Sequence, residues 1–226
     1  IDVTENTTKT VTITATGDCT LGKTQDQSYE GSFNAYYDSY GPDYFFDNVR
    51  GVFEQDDMTI VNLECVLTTS EDRVEKTFNL KGEPEYVEIM TGSSVEACSM
   101  GNNHTYDYGE SGFQETKDVL ENAGITYAYT QQTGMFTTQD GVKVGIVSSS
   151  LLSQSSERTD MLKEGIQNLR KEGAEVVTAC CHWGIEKEYY PTDYQQTTAH
   201  DLIDAGADLV IGNHPHVLQG VEEYNG

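Results

Sequence analysis

Apolar positions along this chain recur with two periods that alternate, two residues in some stretches and three to four in others, and each period predicts its own kind of element. Val11 to Thr16 alternates β-branched with small residues and runs into Gly17-Asp18, which predicts a strand carrying Asp18 at its C-terminal tip. Met58 to Leu63 predicts a second strand, with Asn62 and Glu64 at its end. A short strand around Ala97 to Met100 opens into Gly101-Asn102-Asn103-His104, Ile125 to Tyr129 forms another, and Phe136–Gln139 with Val142–Ser148 form a hairpin around Asp140-Gly141. The apolar run Val176 to Cys181 delivers His182, and Leu209 to Ile211 leads into Gly212-Asn213-His214-Pro215-His216.

Helical spacing fills the intervals. Glu83 to Met90 reads as helical with Pro84 in a tolerated first-turn position. Gly112 to Asn122 carries Phe113, Val119 and Leu120 on one face and is closed by Gly124, while Arg158–Lys171 ends at Gly173 and Tyr194–Ala205 at Gly206. Leu21 to Tyr44, rich in Gly, Ser, Tyr and Asp, reads as a long loop, with one short helix from Asp43 to Phe53. Strands that alternate with helices and end in polar residues predict an α/β fold with its site along the carboxyl edge of the strands.

At 226 residues the chain suits one large domain. Residues 1–10, polar and Thr-rich, read as a linker trimmed from an upstream anchor or export signal, and 11–226 as the domain. The last residues follow a polar loop directly, so the domain is expected to lack its C-terminal part.

Charge narrows the partners. Lys plus Arg number 13 against 38 Asp plus Glu, for a formal net charge of -25, with no basic cluster, which excludes nucleic acid. The five cysteines, Cys19, Cys65, Cys98, Cys180 and Cys181, cannot all pair and show no CxxC spacing, so they read as buried free thiols. Adjacent strand residues point to opposite faces, so Cys180 and Cys181 call for a sheet covered on both sides. No run of apolar residues is long enough to cross a membrane.

The candidate chemistry lies at five strand ends, which present Asp18, Glu64, Asn103-His104, His182 and His214-x-His216. Carboxylate and imidazole donors converging from several elements are what a divalent-metal site needs. Any one of them has an ordinary alternative: a turn aspartate, an exposed strand end, a satisfied core histidine. His200, mid-helix and away from these ends, reads as a surface residue.

Thr16-Gly-Asp-Cys-Thr-Leu-Gly, Asn62-Leu-Glu, Gly101-Asn-Asn-His-Thr-Tyr-Asp-Tyr-Gly, His182-Trp-Gly-Ile-Glu and Gly206-Ala-Asp-Leu-Val-Ile-Gly-Asn-His-Pro-His resemble the bacterial capsule-synthesis proteins, CapA-type, of poly-γ-glutamate biosynthesis. That family belongs to the calcineurin-like metallophosphatase superfamily, and the resemblance spans about residues 11 to 224. It implies a four-layer αββα sandwich holding one or two divalent metal ions (Mn, Zn or Fe). The implied ligands are Asp18, Glu64 as the bridging carboxylate, Asn103, His182, His214 and His216, with His182 and His214 on one cation and His216 on the other. His104 is implied as the proton donor to the leaving group, oriented by Asp107. Glu186, at the family spacing after His182, and Lys81, one of the few basic groups near the expected site, are candidate substrate contacts, each with solvated surface charge as the plain alternative. Thr20 departs from the superfamily pattern, which commonly has histidine there, and the bridging carboxylate is longer by one methylene.

The implied activity is metal-assisted hydrolysis or transfer in assembling or anchoring an anionic cell-surface polymer, outside the cytoplasm and beside membrane-bound capsule synthesis subunits. A non-catalytic scaffold in such a complex, and a general metallophosphoesterase, are the alternatives.

Overall fold

The computed structural model describes residues 8–226. Residues 1–7 of the expected linker lie outside that range.

Strands β1 (Ile13–Cys19), β3 (Met58–Leu63), β6 (Ala97–Ser99) and β7 (Thr126–Ala128) form a parallel sheet in the order β1-β3-β6-β7. A second sheet has the order β11-β10-β9-β8, from β8 (Gly134–Thr137), β9 (Lys143–Ser150), β10 (Val176–His182) and β11 (Leu209–Asn213), parallel except for the β8–β9 hairpin. Three short strands, β2 (Lys23–Thr24), β4 (Val66–Leu67) and β5 (Leu80–Gly82), make a small third sheet. The α-helices are α1 (Phe33–Tyr40), α2 (Arg50–Phe53), α3 (Val87–Thr91), α4 (Gly109–Ala123), α5 (Ser156–Lys171) and α6 (Asp193–Asp204).

The period of two along each strand sorts the core into layers. Val61 and Leu63 of β3 pack with Ile89 and Met90 of α3 and Phe113 and Leu120 of α4. Met58 and Ile60, on the opposite face of the same strand, meet Val144 and Ile146 of β9 and Cys180 of β10 in an inter-sheet core. Val177, Ala179 and Cys181 of β10 turn outward against Leu162, Ile166 and Leu169 of α5 and Leu202 of α6. The order is therefore helices, sheet, sheet, helices, and Cys180 and Cys181 are divided between two cores as their adjacency requires. All five cysteines are free thiols. Burial of each aliphatic side chain in the seam contributes roughly 1.5–3 kcal/mol.

Local chemistry sets the helix limits. Thr192 and Gln195 form a capping box that starts α6. Ser155 caps α5 by accepting from the Arg158 amide, and Gly124 closes α4 with a left-handed φ of 74°. Gly101 is required by proximity, because a Cβ there would lie 2.5 Å from the Ser149 nitrogen. That contact draws the loop after β6 onto β9.

The structure corrects several sequence expectations. The long loop contains α1, whose Phe33 and Tyr37 are held by ring contacts to Phe45 at 4.2 Å and Tyr86 at 4.3 Å, respectively. The helix expected from Asp43 to Phe53 is instead a 3-10 turn at Pro42–Tyr44 and the separate α2. Strand β1 starts later than Val11 and runs through Asp18 to Cys19, with its register shifting between Ala15 and Asp18. The small third sheet has no clear alternation in its two- and three-residue strands.

Candidate metal centre

Asn62 and His182 occupy even positions of their strands, on the faces that turn toward the seam between the sheets. Both stand at the carboxyl ends, so the candidate centre lies where the two sheets meet. Asn62 is almost fully buried and organises it. Its Nδ2 donates to Asp18 Oδ1 at 2.8 Å and lies 3.3 Å from His182 Nδ1. Its Oδ1 accepts from Ser99 Oγ at 3.0 Å and from Asn102 Nδ2 at 3.2 Å. The register shift in β1 sets Asp18 beside Asn62.

Glu64 follows β3 and is 2% exposed. Its Oε1 lies 3.7 Å from His182 Nε2 and 3.9 Å from His104 Nε2, and its Oε2 is buried without a hydrogen-bond partner. Burial, and then the adjacent Asp18 charge, push its pKa up to about 8. Thr20, standing where the resemblance expects histidine, donates through Oγ1 to the Glu64 carbonyl at 3.4 Å.

The segment after β11 turns sharply. His214 and His216 adopt positive φ values of 97° and 53° on either side of Pro215, a conformation of limited access to non-glycine residues. The turn sets the His214 amide 3.3 Å from both Asp18 oxygens and His216 Nδ1 2.8 Å from Asp18 Oδ2. His182 is held neutral by burial and the nearby His214, which lower its pKa to about 3, and burial also lowers that of His214. His182 Nε2 and His214 Nδ1 are buried without partners.

Two sets of ligand atoms result, each within 4.8 Å: Asp18, Glu64 and His182, and Glu64, His214 and His216. Glu64 is common to both. In these sets His182 falls with Asp18 and His214 with His216, while the His182 and His214 rings stand 4.8 Å apart and His216 Nδ1 lies 2.8 Å from Asp18 Oδ2, so the cluster leaves room for the pairing the resemblance implies as well. A buried polar atom left unpaired costs about 1–3 kcal/mol, so three of them on residues of this cluster suit a site that is satisfied only by a further partner. Carboxylate oxygen and neutral imidazole are the donors a divalent transition metal takes.

Next to this cluster, His104 Nδ1 lies 2.6 Å from Asp107 Oδ2. Asp107 is 1% exposed and also accepts from Leu80 N and Lys76 Nζ, both at 2.6 Å. Lys76 Nζ further donates to the Asn103 carbonyl at 2.9 Å. Asn103 itself is exposed beside His104, and its side chain makes no hydrogen bond among the described residues. The buried neighbour Asn102 instead accepts from the His104 amide at 2.9 Å and donates to Leu63 O at 2.8 Å.

The candidate substrate contacts fall differently. Lys81 Nζ is engaged with Glu71 Oε1 at 2.6 Å and Ser70 O at 3.0 Å, and lies 5.5 Å from the Tyr108 ring centroid, so it pins the loop before β5. Glu186 is exposed; its charge adds to the rise that burial and Asp18 cause in Glu64, and opposes the lowering that burial causes in His214. His200 is half-buried, 3.0 Å from Glu222 and stacked on Tyr224 at 3.8 Å, away from the cluster. Sequence reasoning missed Asn62, Asn102 and Lys76 as site residues. Asn62 had a legible signal, a polar side chain at a core-facing position of an otherwise apolar strand. Lys76 had none.

The family profile described as "Bacterial capsule synthesis protein PGA_cap" matches residues 12–226. The "PGA biosynthesis protein CapA" of Bacillus subtilis (strain 168) is 27% identical over 206 residues, covering 82% of this chain and 54% of that protein. The "Capsule biosynthesis protein CapA" of Bacillus anthracis is 25% identical over 239 residues, covering 95% and 56% respectively. The chain thus spans about half the length of the curated relatives it matches. Among solved structures, a hypothetical protein from Thermus thermophilus shares the fold with a TM-score of 0.51 and 16% identity, covering 78% of this chain and 64% of that one. No helix among the described residues is long and apolar enough to cross a membrane.

Proposed function

The chain belongs to the bacterial capsule synthesis protein family, and from that premise we propose that it is a calcineurin-like, metal-dependent hydrolase or transferase acting at a phosphoryl or γ-glutamyl linkage of an anionic cell-surface polymer. The observation that carries this reading is that Glu64, His182 and His214, which fall in the two ligand sets, each keep a buried side-chain atom without a hydrogen-bond partner. Asp18, Glu64, His182, His214 and His216 would hold one or two divalent cations, with Asn103 as a further candidate ligand. A bound cation of this kind supplies Lewis acidity and a water acidic enough to ionise near neutral pH.

The remaining steps belong to the chain. Asp107 fixes the His104 ring through Nδ1, which leaves Nε2 as the nitrogen that gives a proton to the leaving oxygen. Lys76 and the Leu80 amide hold Asp107 in place. The inter-sheet seam excludes water from one side of the cluster. The proposed setting is the cell surface, beside membrane-bound capsule synthesis subunits, consistent with the names of the Bacillus relatives.

A scaffold role is the second reading, favoured by Thr20, which hydrogen-bonds the Glu64 backbone from a position where the superfamily commonly has a ligand. Metal analysis of purified protein, with phosphodiester and phosphomonoester assays in Mn²⁺, Zn²⁺ and Fe²⁺, separates the two. The hydrolase reading expects bound transition metal and an activity abolished by His104→Ala; neither metal nor a His104-dependent activity would leave the scaffold.

A further inference from the structure

Arginines in this acidic chain are matched with carboxylates, with one exception. Arg50 pairs with Asp43 at 2.9 Å, Arg73 with Asp26 at 2.9 Å and Arg170 with Asp208 at 2.5 Å. Arg158 pairs with none among the described residues. Its Nη1 donates to the Ser150 carbonyl at 2.7 Å, and its other guanidinium N–H groups have no protein partner among those residues. With 38 acidic residues against 13 basic ones, an arginine without a carboxylate is the unexpected outcome.

Its position gives the reason. Arg158 is the third residue of α5, where a cation opposes the helix dipole, so the charge does not serve the helix. The carbonyl that anchors it belongs to Ser150, which pairs with His182 across β9 and β10, and the next amide, Leu151 N, donates to His182 O at 2.8 Å. Burial raises the pKa of the Tyr106 phenol, two residues beyond His104, and the Arg158 charge opposes that rise. The exposed guanidinium is therefore anchored at the carboxyl end of β9, beside the strand end that carries His182.

We propose that Arg158 is the anion-binding residue of the candidate centre, receiving an oxyanion group of the substrate, phosphoryl or carboxylate, on its open N–H groups. This rests on the reading of the centre as one that acts on an anionic polymer, and it answers a difficulty of that reading. A chain of net charge -25 repels such a substrate unless a local cation compensates. A planar guanidinium with free donors does so with defined geometry, since it can present two parallel N–H groups to one carboxylate or phosphate.

The test is calorimetric titration of the protein with inorganic phosphate and, separately, with glutarate, for wild type, Arg158→Gln and Arg158→Lys. Metal content and melting temperature are measured on each sample. The expected result is that Arg158→Gln weakens binding of the preferred anion by roughly tenfold or more, with metal content and melting unchanged, and that Arg158→Lys recovers part of it. Where turnover is measurable, KM should rise more than kcat falls. The anion that binds identifies the group as phosphoryl or carboxylate. Equal affinity in wild type and Arg158→Gln overturns the proposal, and so does a wild type that binds neither anion. A wild type that binds the anion but takes up no metal leaves Arg158 in its role and removes only the hydrolase reading.

Discussion

Asn62 and Asp18 are joined by a 2.8 Å hydrogen bond across the carboxyl ends of β3 and β1. The same amide is saturated from behind by Ser99 and Asn102, so one buried side chain sets the position of a candidate metal carboxylate. Asn62→Ala removes the donor to Asp18 and leaves Ser99 Oγ and Asn102 Nδ2 short of an acceptor, at an expected cost of about 2–4 kcal/mol. Urea unfolding measures that loss, and metal titration of the variant should show affinity lower by roughly 10–100-fold. Unchanged metal affinity would deny Asn62 its positioning role.

The metal-free protein should be most stable in mildly acidic solution. Glu64 has a folded pKa raised from 4.5 to about 8. The fold therefore favours its protonated form, and stability is lost as pH rises from about 4.5 through 8. His182 has a folded pKa lowered from 6.5 to about 3, so stability is lost as pH falls from 6.5 through 3. The two slopes oppose one another between 4.5 and 6.5 and leave Glu64 acting alone from 6.5 to 8. Each is at most about 1.4 kcal/mol per pH unit. Melting temperatures in EDTA should fall across the upper window, and added Mn²⁺, by pairing with ionised Glu64, should abolish the fall.

Lys76→Met should act on the His104–Asp107 pair. Asp107 is 1% exposed, and loss of the ammonium at 2.6 Å leaves a buried carboxylate oxygen without its strongest partner. A destabilisation of about 1–3 kcal/mol is expected, together with lower turnover at unchanged metal content. Denaturant melts and metal analysis on the same preparation check both parts.

Gly101→Ala should perturb the fold with no change of charge or polarity. The added Cβ would sit 2.5 Å from the Ser149 nitrogen and push the loop carrying His104 away from β9. Overpacking of this kind costs about 1–3 kcal/mol, and amide exchange should quicken in the segment around Gly101 to Asp107.

Much of this was legible in the chain because strand periodicity is local. Alternation located the principal strands of both sheets, and the polar residues at their ends are the ones the fold brings together: Asp18, Glu64, His104, His182, His214 and His216. The adjacency of Cys180 and Cys181 already demanded a sheet covered on both faces. Helix α1 was not legible, because its Ser, Tyr, Asp and Asn content favours loops and its apolar face acquires meaning only against Phe45 and Tyr86. The sequence singled out Lys81 as a basic group near the expected site and gave Lys76 no role. In the structure Lys81 is taken by Glu71, while the polar stretch that holds Lys76 folds back onto Asp107.

By itself the sequence determined which side chains end each strand and which faces are apolar, since those follow from covalent order and a period of two. Only the tertiary structure decided that Asp18, Glu64 and the histidines come together, that burial raises the pKa of Glu64 to about 8 in the metal-free cluster, and that Arg158 alone among the arginines pairs with no carboxylate among the described residues. Those properties depend on distances between the two sheets and on the water they exclude, which no local pattern encodes.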